Sequence, residues 1–241
     1  MRITITESLN AFYSVVAWRI AEVIVEKPDA VIGLATGRTT TGVHQALAGI
    51  YAAHPFDTSR VTVFGMDEIT HVSRAFPGSC YDMLLRQVVR PLGIRPENFL
   101  MPPTESDDYS RECRAFEDAI AARGGVDLQI LGIGENGHLG FNQPGTPFES
   151  TTWISRMDET LDARIRRESG AAPDADLGGF TIGIRNIMMS RRVILAANGS
   201  NKTAIVRKAL YGPVTPDVPA SVLQLHPFAE AILDPEAASL K

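Results

Sequence analysis

The chain has 241 residues, of which 44% are hydrophobic and 21% charged, with a formal net charge of −5. That is enough chain for one large domain with its own core, at an ordinary globular composition. With no basic block it lacks the clustered Lys and Arg that nucleic-acid binding requires, although a small anionic ligand needs only a local positive site.

Arg2 to Thr6 alternates as a short strand, and Phe12, Val15, Val16, Ile20, Val23 and Ile24 then fall on one helical face. Glu7, Asn10, Arg19 and Glu22 interrupt this segment, so neither a signal peptide nor a membrane span is expected. Val31 to Ala35 is a compact apolar run that reads as a buried strand, followed by a helix over Thr41 to Ala53 and a strand over Val61 to Met66. Helices are expected at Ser79 to Arg90 and Tyr109 to Arg123, and a third buried strand at Leu128 to Ile133. Phe180 to Ile184 and Val193 to Ala197 supply two more strands, Lys202 to Tyr211 a helix, and Ala229 to Leu233 a last strand. Glu168 to Gly179 is loop-like and too short to divide domains. Short buried strands alternating with helices predict a single α/β domain, with a mainly parallel, Rossmann-like twisted sheet covered by helices on both faces. The two cysteines, Cys80 and Cys113, form no C-x-x-C pair, and reduced thiols in a cytoplasmic protein are expected.

Ligands of such sheets bind at the carboxyl ends of the strands, and three strand ends here carry unusual residues. After the second strand comes Thr36-Gly37-Arg38-Thr39-Thr40-Thr41, which suits an anion at a helix N-terminus and equally suits a plain N-cap turn. It is not a P-loop, since G-x-x-x-x-G-K-[ST] is absent. After the third strand stand Asp67 and Glu68, candidates for a general base or simply solvated loop acids. After Leu128 to Ile133 comes Gly134-Glu135-Asn136-Gly137-His138-Leu139-Gly140-Phe141-Asn142-Gln143-Pro144. Glycines there allow close backbone approach, and a histidine in such a loop suits acid–base work near neutral pH.

Taken together, GLATG-x-T, F-x-MDE, GIGENGHLGFNQPGT, NGSNK and PASVLQLHP, in this order, resemble the glucosamine-6-phosphate deaminase family with its galactosamine-6-phosphate branch. The resemblance covers nearly the whole chain. It implies metal-independent, cofactor-free ring opening, isomerisation and deamination of a sugar phosphate, with no nucleic-acid or membrane partner; assembly into a homo-oligomer stays open. By this resemblance Thr36, Gly37, Thr39 and Lys202 hold the phosphate, with Glu68 and Gly137 at the substrate; Arg38 in the same loop is open between a phosphate contact, a second anionic group of the substrate, and an exposed side chain whose backbone alone matters. An Arg from a mobile lid around 151–180 completes that site, Arg167 being the best-placed match and Arg164 its competitor. Asp67 moves a proton between C1 and C2, and His138, with Asn136 and Gln143, assists ring opening. Two positions depart from the family pattern: Gln143 stands where a Glu usually supports the histidine, and Arg38 where a small residue is common. Two alternatives remain. The related 6-phosphogluconolactonases share the fold and a GxGxDGH segment, and the same fold serves non-catalytic sugar-phosphate sensors.

Overall fold

The computed structural model describes residues 1–157 and 159–239. Its main sheet holds β1 (Arg2–Ile5), β2 (Val31–Leu34), β3 (Thr62–Gly65), β5 (Phe99–Leu100), β6 (Leu128–Leu131), β9 (Arg192–Ala197) and β10 (Ala229–Leu233). The order across it is β1-β10-β9-β6-β2-β3-β5, and every pairing is parallel.

Both faces are covered, as the apolar runs predict. Ile32, Val63, Ile130 and Ile194 pack with α1 (Leu9–Glu26) and α2 (Arg38–Ala53) on one side. Val31, Leu131, Val193 and Leu195 pack on the other with α5 (Tyr109–Ala121) and α8 (Thr203–Tyr211). Neighbours such as Val193 and Ile194 enter opposite cores because side chains alternate along a strand. The predicted face of α1 is the buried one, and Ser8 caps it by accepting the Ala11 N–H at 3.1 Å.

A second, smaller sheet was not expected. It is antiparallel, of order β4-β8-β7, from β4 (Asp67–Ile69), β7 (Trp153–Arg156) and β8 (Gly178–Thr181). The predicted Phe180 to Ile184 strand is therefore shifted and belongs to a different sheet. It stops at Thr181, and α7 (Ile184–Met188) begins after Gly183, where a Cβ would come within 2.0 Å of the Ser150 carbonyl oxygen. The two sheets join at Met66, whose N–H donates to Leu34 O and whose carbonyl accepts from Ile182 N. Asp67 and Glu68 are thus strand residues at a sheet junction, both buried, rather than loop acids.

The segment predicted as one helix over Ser79 to Arg90 is α3 (Cys80–Leu84), a π-helical turn over Leu85–Val89, and α4 (Arg90–Leu92). Between β7 and β8 the chain forms α6 (Glu159–Ser169), with Ile165 packed against Ile69, Val72 and Leu177.

Candidate active site

One cleft of about 1030 Å³ opens at the carboxyl ends of the central strands. β9, β6 and β2 are neighbours in the sheet, so the segments after them, 198–202, 132–143 and 35–40, meet along one rim. Asp67 from the sheet junction and α6 close the remaining sides.

One end is suited to an anion. Gly37 starts α2 at φ 139°, in open space, and its carbonyl accepts the hydroxyls of Thr40 and Thr41 at 3.2 and 2.9 Å. The N-terminus of a 16-residue helix carries positive partial charge. Thr39 Oγ1 donates to Asn198 Oδ1 at 2.5 Å, tying the loop after β2 to the loop after β9. Lys202 and Arg38 line the same region. Burial holds the Lys202 ammonium below its ordinary pKa, and the Arg38 charge adds to this against the opposing pull of Glu135. An anion bound between two cations would relieve their repulsion.

At the other end stands Asp67, 8% exposed. Burial, and then the neighbouring Glu68 charge, push its carboxyl up to about 7, against a hydrogen bond from Cys80. A carboxyl in that range suits proton transfer near neutral pH. Glu68 does different work: its carboxylate accepts the N–H groups of Ile69, Cys80 and Tyr81 at 2.9, 2.9 and 2.7 Å. Those bonds fasten the start of α3 to β4 and turn Glu68 away from the cleft, which corrects its expected place at the substrate.

His138 lines the cleft with its ring flat against Gly134, where a Cβ would come within 2.2 Å of the imidazole. Its Nδ1 lies 2.8 Å from Asn136 Oδ1, which also accepts the His138 N–H at 3.2 Å. A carbonyl oxygen only accepts, so the nearby ring nitrogen carries a proton. Asn136 Nδ2 in turn donates to Gln143 Oε1 at 3.0 Å. Gln143 therefore supports the histidine through Asn136. Gln143→Glu is expected to place a carboxylate on the same amide and to favour the imidazolium form of His138 relative to the parent. NMR titration of the ring checks this, and an unmoved titration would cut Gln143 out of the chain.

Gly137 and Arg167 also differ from expectation. Gly137 sits at φ 93° under Val218 and Ile205, and shapes the loop instead of lining the cleft. On α6 the cleft-facing stripe is Leu161, Arg164, Ile165 and Glu168, spaced by three and four. Arg167 falls outside that stripe, its side chain 74% exposed near Glu168, so Arg164 is the α6 arginine in the lining. Cys80, Asn198 and Asn201 also line the cleft, and sequence reasoning assigned them no role. Asn198 and Asn201 lie in or beside the recognisable NGSNK segment, whereas nothing in the sequence around Cys80 marks it. No group of three or more His, Cys, Asp or Glu among the described residues is placed to hold a metal ion.

The glucosamine-6-phosphate isomerase/6-phosphogluconolactonase family profile matches residues 5–232. A glucosamine-6-phosphate deaminase of Clostridium botulinum (strain Kyoto / Type A2) is 37% identical over 239 residues, 99% of this chain and 98% of the relative. That of Halothermothrix orenii is 37% identical over 240 residues, covering 100% of both chains. Among solved structures, a monomeric glucosamine-6-phosphate deaminase superposes with a TM-score of 0.92 at 33% identity over 100% of both chains. A 6-phosphogluconolactonase from Thermotoga maritima shares the fold, with a TM-score of 0.74 at 19% identity, covering 97% of this chain and 99% of that one.

Proposed function

From the premise that the chain belongs to the glucosamine-6-phosphate isomerase/6-phosphogluconolactonase family, we propose that it converts a hexosamine 6-phosphate, glucosamine 6-phosphate first among them, to a ketohexose 6-phosphate and ammonia. The observation that carries this reading is the pairing, in one cleft, of a cationic helix N-terminus with a buried Asp and a loop His. A phosphate held by the 36–39 loop and Lys202 leaves the sugar to extend toward Asp67 and His138. His138 Nε2 takes the proton of the C1 hydroxyl and returns it to the ring oxygen as the C1–O5 bond breaks, giving the open-chain amino aldehyde. Asp67 then removes the C2 proton; the electron pair forms the C1–C2 double bond and the carbonyl oxygen takes up a proton. Return of a proton to C1 leaves an imine at C2, which water hydrolyses to the ketose and ammonia. Positioning and proton transfer carry these steps.

The relatives that favour deamination over lactone hydrolysis are 33–37% identical across the chain, whereas the lactonase likeness at 19% is one of fold. The sensor reading is less well supported, because a binding-only protein has no need of a carboxyl poised at about 7 beside the sugar. Reaction in the cytoplasm, where sugar phosphates are retained, belongs to the same proposal. The test is a panel: glucosamine 6-phosphate, galactosamine 6-phosphate and 6-phosphogluconolactone, with ammonia, ketose phosphate and acid measured separately. Ammonia and ketose phosphate in equal amounts from glucosamine 6-phosphate is the expected result; acid from the lactone without ammonia would replace the reading by the hydrolase, and no product from any would leave the sensor.

A further inference from the structure

Cys80 is a buried nucleophilic side chain of the cleft that the reaction above leaves without a task. It is the first residue of α3, 7% exposed, and its side chain reaches the cleft between the anion loop and the base. Thr36 Oγ1 donates to its Sγ at 3.1 Å, and the Sγ–H donates to Asp67 Oδ1 at 3.5 Å. The three groups form one line, hydroxyl to thiol to carboxylate, from the first residue of the anion loop to the base. Its position is fixed from both sides. Glu68 accepts the Cys80 N–H at 2.9 Å from β4, and Ser79 caps α3 by accepting the Asp82 N–H at 3.1 Å.

We propose that Cys80 is a positioning residue for Asp67: its thiol, oriented by Thr36, holds Oδ1 in place and stabilises the ionised carboxylate. This deepens the deaminase reading and rests on it for the role of Asp67. The thiol acts as a donor and not as a nucleophile. Burial, with Asp67 and Glu68 beside it, pushes its own pKa well above the ordinary value, so the S–H keeps its proton. A thiol is also a weak donor, which suits a base that has to stay basic: a hydroxyl or backbone N–H at the same point would depress the carboxyl further. The groups facing Asp67 from other elements are few. Glu68 adjoins it on β4, and Thr181, paired with it across β8, is neutral. His138, Lys202 and Arg164 approach from the remaining walls of the cleft. Cys80 donates directly to the carboxylate at 3.5 Å.

The experiment is a 13C NMR titration of the Asp67 carboxyl carbon in the unliganded protein, with Cys80→Ala and Cys80→Ser beside the parent. Removing the donor should raise the Asp67 midpoint by roughly half a unit to one unit. Restoring a donor with Ser should return it to the parental value or below. Identical midpoints in all three proteins would overturn the proposal, and so would equal upward shifts in Ala and Ser, which would mark a packing effect. The titration requires no turnover, so it is decided separately from the panel assay, where failure of the functional reading would appear as a parent protein that releases no ammonia. With activity established, the acid limb of kcat/KM should move with the NMR midpoint in each variant, while the KM for the phosphorylated sugar stays near the parental value.

Discussion

Asp67→Asn is expected to lower ammonia release by roughly a hundredfold to ten-thousandfold, the range a positioned general base contributes. Exchange of solvent deuterium into C1 and C2 should fall with it, while phosphate binding at the far end of the cleft persists. Exchange at the parental rate would remove Asp67 from the role. Glu68 could not then take over in its present setting, because its carboxylate is occupied by three backbone N–H groups. The same variant carries a stability signature with a definite sign. Asp67 is raised from 3.8 to about 7, so the stability linked to its ionisation is present at low pH and lost as pH rises through about 7. The Asn variant has no charge to bury. Its melting temperature relative to the parent should therefore be higher at about pH 8.5 than at about pH 5. An equal difference at both values would refute the raised pKa, whatever the kinetics show.

The second large effect is expected at Gly134. Its backbone conformation accepts an L-residue, but an alanine Cβ would stand 2.2 Å from Cε1 and Nδ1 of His138 and 2.5 Å from Nε2. The ring has to move by about an ångström or more, and with it goes the contact from Nδ1 to Asn136. A misplacement of that size costs on the order of a hundredfold in rate. In Gly134→Ala the loss should fall on kcat, with KM nearly unchanged, because the anion loop is untouched. Steady-state kinetics on the preferred sugar phosphate checks this. A variant that raises KM and preserves kcat would show the imidazole to be a binding group and not an acid–base group.

The main sheet was legible in the sequence because a strand buried on both faces announces itself. Val31–Leu34, Leu128–Leu131 and Arg192–Ala197 are short, nearly continuous apolar runs, and the structure pairs all three side by side. The small sheet was not legible. Asp67-Glu68-Ile69 has no strand pattern of its own, and Gly178-Gly179 becomes strand only where Ile154 and the Phe141 ring lie against it. Its β character comes from tertiary contact and not from local preference. The helix α6 went unread because it is rich in charge, although Leu161 and Ile165 sit four apart as a helix face requires. At the site, the loop glycines and Asp67, His138 and Lys202 stood out as residue types in motifs. What sequence could not convey was which way neighbours turn: Asp67 toward the cleft and Glu68 away, Arg164 inward and Arg167 outward. The start of the helix near Cys80 was legible, but the two backbone N–H groups, of Cys80 and Tyr81, that Glu68 accepts there were not.

The order of the main sheet also governs how the molecule can come into being. β10, made last, lies between β1, made first, and β9. During synthesis β1 lacks its sheet partner until β10 has left the ribosome. β2, β3, β6 and β9 can meanwhile assemble in turn, and α1 can settle on them through Ile20 and Ile24. Closure of a loop of more than two hundred residues is then the final event, of the kind that slows folding and lengthens exposure to chaperones. A nascent chain stalled short of Ala229 would carry every loop of the cleft yet lack the strand that joins β1 to β9.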